Sequence, residues 1–326
     1  MWAVRVLINA DARHIPLKNE IVQCIVTSPP YWGLRDYGVE GQIGLEPTPE
    51  LYVQQLTEIF REVRRVLRKD GTLWLNLGDS YAGSAQGWGK KGQCAGQKQK
   101  TNAGSSLERY LLDRPPNYIS SRQPNGLKPK DLVGIPWRVA FALHADGWWL
   151  RSDIIWYKPN PMPESVRDRP TKAHEYVFLF AKSRKYYYDA DAVKEECASG
   201  PSDIKKMIEG KDRIGGKHKG LSDNLNKASS ATRIGRKRAV GSPEGRNRRS
   251  VWTIATQPYK GAHFATFPEK LVEPCILAGS RPQDLILDPF AGTATVGRVC
   301  LKYQRRFVGL ELKLDYIKLA QKRLTA

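Results

Sequence analysis

The sequence predicts an α/β protein in which a mostly parallel sheet carries helices on both faces. Three observations lead to this fold class. Short apolar runs alternate with amphipathic segments of helical period, which is the strand–helix–strand unit of a parallel sheet. The chain has 326 residues, of which 40% are hydrophobic, so it can bury a large core. Two polar tracts rich in Gly and Lys interrupt the pattern and predict basic loop insertions.

The predicted elements begin with a strand at residues 1–9, and Asp11 stands just past its tip. A second, mostly apolar strand covers residues 21–27. Apolar residues recur every three or four positions from 49 to 69, which predicts an amphipathic helix. That helix is expected to end at an Asp-Gly pair, and residues 72–77 form the next strand.

The rest of the chain continues the alternation after a break. Residues 83–130 are too polar to offset the entropy of ordering, so we expect a mobile loop there. The elements predicted after it are a helix from Pro136, strands at 148–157 and 174–182, a helix at 268–278, strands at 284–287 and 306–310, and a helix at 314–324. The predicted sheet therefore has seven strands.

The charge of the chain indicates a polyanionic partner. Lys and Arg total 53 against 33 Asp and Glu, a net charge of +20. Residues 83–130 carry a net +7 and residues 194–249 a net +8. Because most of the excess charge lies in two Gly-rich tracts, phosphate contact is favoured over an ordinary solvated face.

Several protein classes are not indicated. No run approaches the roughly 20 apolar residues of a membrane helix, and the first residues lack the pattern of a signal peptide. We therefore expect a cytoplasmic protein that does not enter a membrane. The five cysteines contain no Cys-x-x-Cys pair, so neither a zinc site nor a disulfide framework is indicated.

A rigid turn follows the second strand at Ser28-Pro29-Pro30-Tyr31. Prolines cannot continue a strand ladder, so the two prolines end the strand and leave their carbonyls free to accept hydrogen bonds. Open α/β sheets bind ligands at this end of their strands. A planar base can stack on Tyr31 while its amine donates to Ser28 and a proline carbonyl, as in enzymes that flip a base. A purely structural proline turn is the alternative.

A second turn, residues 288–297, links the predicted strand 284–287 to a helix. Strand 306–310 follows and ends at Glu311, which stands 23 residues after Asp288. A strand, a Gly-containing turn, a helix, a strand and an acidic residue at about this distance form a nucleotide-binding βαβ unit.

Together these motifs resemble those of the S-adenosylmethionine-dependent amino DNA methyltransferases, in the permuted class whose catalytic motif precedes its cofactor motif. The family's catalytic signature, Ser/Asp/Asn-Pro-Pro-Tyr, is matched at 28–31. Its cofactor loop, Asp-Pro-Phe-x-Gly-Ser/Thr-Gly-Thr, is matched at 288–295 except at Ala294, where the family usually has Gly. The β-carbon of Ala294 is expected to crowd the cofactor or to restrict φ. The resemblance implies a Rossmann-like methyltransferase fold.

The resemblance also implies roles for individual residues. The catalytic set is Ser28, Pro29, Pro30 and Tyr31. The cofactor set is Asp11 for the adenine, Glu311 for the ribose, Thr266 and Phe267 near the methionine end, and Asp288, Pro289, Phe290, Ala291, Gly292 and Thr293 in the loop. S-adenosylmethionine is the expected cofactor. Acceptors aimed at the amine hydrogens help the nitrogen to pyramidalise, so the chemistry needs no metal ion.

The expected domain organisation has three parts. Residues 1–193 form the catalytic half of the methyltransferase domain and residues 250–326 form its cofactor-binding half. Between them, residues 194–249 stand where the family places its target-recognition region. Double-stranded DNA is the expected partner. The sequence leaves open whether a cognate restriction endonuclease accompanies the protein and whether it forms a homodimer, as members of this class often do.

The expected reaction is methylation of the cytosine N4 amine in DNA, with adenine N6 as the alternative. In the resembling family, serine at position 28 is commoner among cytosine-N4 enzymes, whereas adenine enzymes mostly carry Asp or Asn there. An RNA methyltransferase and a non-catalytic nucleic-acid-binding protein are the rival hypotheses. A dehydrogenase would need Gly-x-Gly-x-x-Gly after its first strand, and the turns lack it.

Overall fold

An eight-stranded sheet is the centre of this computed structural model, which describes residues 5–34, 36–82, 126–128, 130–196, 245–257 and 267–325. The predicted mobility of 83–130 and the predicted role of 194–249 fall mostly outside these residues. The chain divides into two compact units, Met1–Tyr188 with Ser250–Ala326, and Asp189–Arg249. The sheet belongs to the first unit.

The strands are β1 Arg5–Asn9, β2 Val22–Thr27, β3 Leu67–Leu77, β4 Trp149–Tyr157, β5 His174–Ala181, β6 Val251–Thr253, β7 Leu285–Asp288 and β8 Arg306–Glu311. Their order across the sheet is β1-β8-β7-β2-β3-β5-β4-β6. Neighbours from β1 to β3 are all parallel, β5 is antiparallel to β3 and β4, and β6 is parallel to β4. The mostly parallel α/β sheet is thus confirmed.

The helices of the described residues are α1 Pro49–Val66, α2 Ile135–Ala145, α3 Glu269–Gly279, α4 Thr295–Lys302 and α5 Leu314–Thr325. Alternate residues of β2 show that helices cover both faces of the sheet. Ile25 joins the apolar core with residues of α1 and α2, whereas the Cys24 thiol faces the Cys275 carbonyl of α3 at 3.9 Å. None of these helices is long and apolar enough to cross a membrane.

The predicted count of seven strands is wrong, because β6 was missed. β6 has three residues, of which only Trp252 is buried, so it is too short to show an alternating pattern. The predicted start of the third strand is also wrong. Leu67 is buried and extended, and it pairs with Val22, so α1 ends at Val66 and β3 begins at once. The Asp-Gly pair that predicted a turn lies inside β3, beside a register shift between β2 and β3.

The second unit is described at both of its ends. Residues Asp191–Val193 form a short 3-10 helix. Glu195 and Arg246 then pair as an antiparallel bridge, with N–H···O distances of 3.0 and 2.9 Å in the two directions. The Glu195 carboxylate also forms ion pairs with Arg246 and Arg249, at 3.4 and 2.7 Å. The predicted division at 194–249 stays a prediction.

Candidate active site

The carboxyl ends of β2 and β7 lie side by side, because the two strands are parallel neighbours. β2 ends at Thr27 and β7 ends at Asp288, so the Ser-Pro-Pro-Tyr turn and the Asp-Pro-Phe turn start next to each other. The Thr27 hydroxyl donates a 2.7 Å hydrogen bond to Asp288 Oδ1. This bond connects two motifs that lie 261 residues apart in the sequence.

Asp288 is a buried carboxylate with one oxygen already engaged. The Phe290 amide also donates to Oδ1, at 3.1 Å, and none of the described residues donates to Oδ2. Burial, with a smaller contribution from the charge of Glu311, raises the pKa of Asp288 to about 7, although the bonds from Thr27 and Phe290 act in the other direction. A cation beside Oδ2 would favour the charged form, so the site suits an ammonium or sulfonium group.

Glu311, at the end of β8, is fixed by two backbone amides. The Gly292 amide donates to Oε2 at 2.9 Å and the Lys313 amide donates to Oε1 at 2.8 Å. Burial raises the pKa of Glu311, and these backbone bonds partly oppose it. Each oxygen keeps a further lone pair, so the half-buried carboxylate can accept from both hydroxyls of a vicinal diol.

The turn after β7 is packed mostly inward. Pro289, Ala291 and Thr293 are buried, and Phe290 packs at the edge of the apolar core. The Ala291 amide donates to the Leu310 carbonyl at 2.8 Å. These residues shape the turn from within, whereas Gly292 is half-buried at its surface.

Ala294 occupies a conformation that favours glycine. Its φ is 57° and its ψ is 44°, and it is fully buried at the N-cap of α4. A left-handed backbone costs an L-residue roughly 1–2 kcal/mol. The β-carbon therefore does not keep Ala294 out of the left-handed region but makes that conformation strained, and the expected crowding of the cofactor stays a prediction.

Asp11 lies just past β1 and is already paired. Arg13 donates to both carboxylate oxygens, at 2.6 to 3.0 Å, and also to the Gly41 carbonyl at 2.7 Å. Burial acts to raise the pKa of Asp11, but the bonds and charge of Arg13 outweigh it and hold the pKa below its usual value. A ligand amine at Asp11 would share the carboxylate with Arg13.

Phe267 is the one residue of the predicted methionine-end pair that the structure describes, since Thr266 lies outside the described residues. Phe267 precedes α3 and lines an apolar cleft between that helix and the sheet. Thr27 and Asn76 also line this cleft. The cleft therefore reaches the carboxyl ends of β2 and β3.

The proline turn differs from its prediction in one respect. Both proline carbonyls were predicted to be free. The Tyr52 hydroxyl of α1 donates a 2.7 Å hydrogen bond to the Pro30 carbonyl, so the prediction is wrong for Pro30. No described residue donates to the Pro29 carbonyl. Ser28 is half-buried beside it. Ser28 Oγ and the Pro29 carbonyl are thus the acceptors that this turn leaves for a ligand.

The side chain of Tyr31 is held from two directions. A β-carbon on Gly78 would lie 2.4 Å from the Tyr31 ring, so the ring packs directly on the backbone of that glycine. The hydroxyl donates to Glu175 Oε2 at 2.7 Å and lies 3.2 Å from Asn76 Oδ1. Burial and the Glu175 charge raise the pKa of Tyr31 well above its usual value, so the phenol stays protonated.

Sequence reasoning missed the polar residues that support these turns: Thr27, Tyr52, Asn76, Lys158 and Glu175. Weak signals existed for two of them. Thr27 and Asn76 are polar residues at or next to the carboxyl ends of their strands, each directly after apolar residues, a placement typical of residues that face a site. Glu175 had no signal, because only the antiparallel pairing of β3 with β5 brings it to Asn76 and Tyr31.

Comparisons with known proteins agree with this geometry. A protein family described as DNA methylase, of the N6 and N4 type, matches residues 22–322. The Type II methyltransferase M.SmaI of Serratia marcescens is 46% identical over 320 residues, which are 98% of this chain and 90% of that protein. The Type II methyltransferase M.XycI of Xanthomonas campestris pv. cyanopsidis is 48% identical over 308 residues, 94% of this chain and 83% of that protein.

Solved structures show the same fold. The PvuII DNA methyltransferase, named as cytosine-N4-specific, aligns with a TM-score of 0.59 at 16% identity, over 98% of this chain and 86% of that one. TTHA0409 of Thermus thermophilus, solved in complex with S-adenosyl-L-methionine, aligns with a TM-score of 0.55 at 20% identity, over 99% of this chain and 93% of that one. The methyltransferase fold and the family resemblance drawn from the two motifs are thus confirmed. The chain belongs to the N6/N4 amino DNA methyltransferase family.

Proposed function

We propose that this protein transfers a methyl group from S-adenosylmethionine to the N4 amine of a cytosine that is flipped out of double-stranded DNA. The observation that carries this proposal is the Thr27–Asp288 hydrogen bond, which holds the cofactor turn against the turn that receives the base. Methyl transfer needs donor and acceptor in line and close together, and positioning of this kind supplies much of the acceleration.

The residues of the predicted cofactor set fit S-adenosylmethionine. The open Oδ2 of Asp288 suits a cationic group, and the Glu311 carboxylate suits the ribose hydroxyls. Asp11 would accept from the adenine amine beside Arg13, and Phe267, just before α3, would cover the methionine end. When bound, the cofactor supplies a methyl group on a sulfonium, which is a strong electrophile.

The residues of the proline turn fit an exocyclic amine. Its lone pair is delocalised into the ring, so the amine becomes nucleophilic only as the nitrogen pyramidalises. Ser28 Oγ and the Pro29 carbonyl would accept the two amine hydrogens and favour that change. Tyr31 and the prolines would hold the base against the turn.

Cytosine N4 is favoured over adenine N6 by the serine at position 28. A serine hydroxyl is shorter than a carboxylate or amide and is neutral, so it would hold an amine at a different depth from that in enzymes with Asp or Asn. The cytosine-N4 specificity named for the PvuII enzyme, which has the same fold, supports this choice. The family as a whole includes both specificities.

The test is to identify the methylated nucleoside. DNA incubated with the protein and labelled S-adenosylmethionine would be digested and its nucleosides separated by mass, with Asp288→Asn as a cofactor-site control. We expect N4-methylcytosine with the unmodified protein and far less with the control. N6-methyladenine alone would establish the alternative specificity, and no labelled nucleoside would contradict the proposal.

We also propose residues 194–249 as the region that reads the DNA sequence. Their net charge of +8 and their position in the sequence, between the two halves of the domain, support this role. A restriction endonuclease that cuts the same sequence, and assembly into a homodimer, are part of the same proposal. The Type II names of the relatives support the first of these.

A further inference from the structure

The Tyr31 hydroxyl is the middle of a chain of hydrogen bonds. Ser28 Oγ donates to it at 3.4 Å, and it donates to Glu175 Oε2 at 2.7 Å. Asn76 Nδ2 donates to the same Glu175 oxygen at 3.2 Å. The other oxygen, Oε1, is paired with the Lys158 ammonium.

The Glu175 carboxylate determines which group donates and which accepts along this chain of hydrogen bonds. An ionised carboxylate can only accept hydrogen bonds. Asn76 Oδ1 is also an acceptor, but at 3.2 Å it is farther from the Tyr31 hydroxyl than the charged Glu175 oxygen at 2.7 Å. The Tyr31 proton therefore points to Glu175, which leaves the phenol oxygen to accept from Ser28. Because Ser28 directs its only proton to Tyr31, the outward side of Ser28 Oγ carries lone pairs alone.

We propose that Glu175 is a positioning residue that acts through Tyr31 to present Ser28 to the target amine as an acceptor. This inference rests on the proposed function, in which Ser28 accepts an amine hydrogen. A serine with a free proton would donate to the amine nitrogen as readily as accept from it, and so would occupy the lone pair that must attack the methyl group.

The surroundings of Glu175 support a directional role rather than a contribution to stability. The side chains of Glu175 and Lys158 are each 17% exposed, and an ion pair removed from water contributes little net stability. The pair stands where β4 ends and β5 begins, at the same edge of the sheet as the proline turn. Tyr31 already has Gly78 beneath its ring, so packing fixes the ring and Glu175 fixes the proton.

Glu175→Gln tests the direction with almost no change of shape. The amide oxygen must face the Lys158 ammonium, so the NH2 group faces Tyr31 and Asn76. We expect the Asn76 amide then to turn, because its own NH2 would otherwise meet a second NH2 group, and the bond to the new NH2 group replaces the 3.1 Å bond that Asn76 donates to the Tyr176 carbonyl. Two donors then face the Tyr31 oxygen, so the Tyr31 hydroxyl donates its hydrogen bond to Ser28. The direction of the hydrogen-bond chain is thereby reversed.

The experiment compares wild type, Glu175→Gln, Tyr31→Phe and the double variant in methylation of DNA with labelled S-adenosylmethionine. We expect Glu175→Gln to lower kcat by about 10- to 100-fold, the loss of one hydrogen bond to a charged group, with little change in KM for either substrate. Tyr31→Phe should lower kcat by the same order, and the double variant should be no slower than Tyr31→Phe. Glu62→Gln, which breaks the 2.8 Å ion pair with Arg65 on α1, is the control and should keep wild-type kcat.

Each outcome decides the matter. Equal losses from Glu175→Gln in the wild-type and Tyr31→Phe backgrounds would show that Glu175 acts independently of Tyr31, and would overturn the inference. Wild-type kcat in Glu175→Gln or in Tyr31→Phe would overturn it too. Cofactor binding and thermal unfolding report folding of each variant, and if Glu175→Gln does not fold, Tyr31→Phe alone decides. No methylation by the wild type would count against the proposed function instead.

Discussion

Asp288 is a carboxylate whose charge depends on pH near neutrality. Its pKa is raised from 3.8 to about 7, chiefly by burial. A carboxyl group with a raised pKa binds its proton more tightly in the folded chain than in the unfolded chain. Its contribution to the free energy of unfolding is therefore fully present below about pH 4 and is lost as the pH rises through about 7. A bound cation would offset that loss.

We therefore predict that affinity for S-adenosylmethionine rises about tenfold per pH unit up to about pH 7, where Asp288 ionises, and levels off above it. Calorimetry between pH 5.5 and 8 measures this, and Asp288→Asn should remove that part of the dependence, since titration of the ligand itself is common to both proteins. Thr27→Val should move the midpoint upward, because the Thr27 bond acts to lower this pKa. An identical pH profile for wild type and Asp288→Asn would contradict the assignment.

Ala294 gives a second prediction. Ala294→Gly relieves roughly 1–2 kcal/mol of left-handed strain but loses the burial of a methyl group and gains unfolded-state entropy, so stability should change by less than about 1 kcal/mol. Ala294→Val should cost more than about 2 kcal/mol, since a β-branched residue is strained at φ 57° and the site is fully buried. Urea unfolding measures both variants. Equal stability of the two would show that neither φ nor space limits this position.

Helix α1 holds the proline turn as well as covering the sheet. It begins after Thr48, whose hydroxyl accepts from the Leu51 amide at 3.3 Å, and its buried stripe includes Tyr52. Tyr52 is completely buried and directs its hydroxyl to the Pro30 carbonyl. The helix thereby connects the apolar core to the proline turn.

We predict that Tyr52→Phe lowers the free energy of unfolding by about 1–3 kcal/mol, the cost of leaving the partly buried Pro30 carbonyl without its donor. Tyr157→Phe, at a tyrosine that is 42% exposed, should change it by much less. Denaturant titration of the two variants side by side makes the comparison. Equal effects would mean that the bond to Pro30 adds nothing to stability.

The sequence was sufficient to predict most elements and both turns, because their signals are local. The spacing of apolar residues predicted α1, a short apolar run predicted β2, and the two prolines predicted the turn after β2. The bonds between distant residues could not be predicted in this way. Thr27 meets Asp288 only because β2 and β7 are neighbours in the sheet, and Glu175 meets Tyr31 only through the pairing of β3 with β5. The Asp-Gly pair in β3 is a local signal that gave a wrong prediction. It indicated a turn, but the strand continues through the pair, beside a register shift between β2 and β3.

At the scale of the whole molecule, the net charge of +20 attracts the protein to the phosphates of DNA. Phosphate contacts are predicted for residues 83–130, and the part of this tract between 84 and 124 carries seven Lys or Arg and two Asp or Glu. The chain on either side is well placed for a deletion, because the Lys130 amide donates to the Ala82 carbonyl at 3.0 Å. A short linker can therefore replace the tract without separating the elements beside it.

Replacing residues 84–124 with a Gly-Ser linker should flatten the dependence of log affinity for DNA on log salt concentration, by about 0.9 for each phosphate that the protein no longer neutralises. The methylated sequence should stay the same, because binding to phosphates carries no sequence information. Binding measured over a range of salt concentrations, together with mapping of methylated sites, tests both statements. A changed methylated sequence would assign base recognition to this tract instead of to residues 194–249.

The bridge between Glu195 and Arg246 also bears on how such a protein can acquire a new specificity. It pairs the two residues that flank 197–244, so the ends of the chain on either side of that segment are already held together. Exchange of a segment between two paired ends disturbs little else, since closure is already provided. Grafting the corresponding segment of a relative between Glu195 and Arg246 should transfer that relative's target sequence while cofactor affinity stays unchanged. If residues 194–249 read the DNA sequence, as proposed, recombination at two adjacent points would be enough to change the target sequence of such an enzyme without altering the rest of the chain.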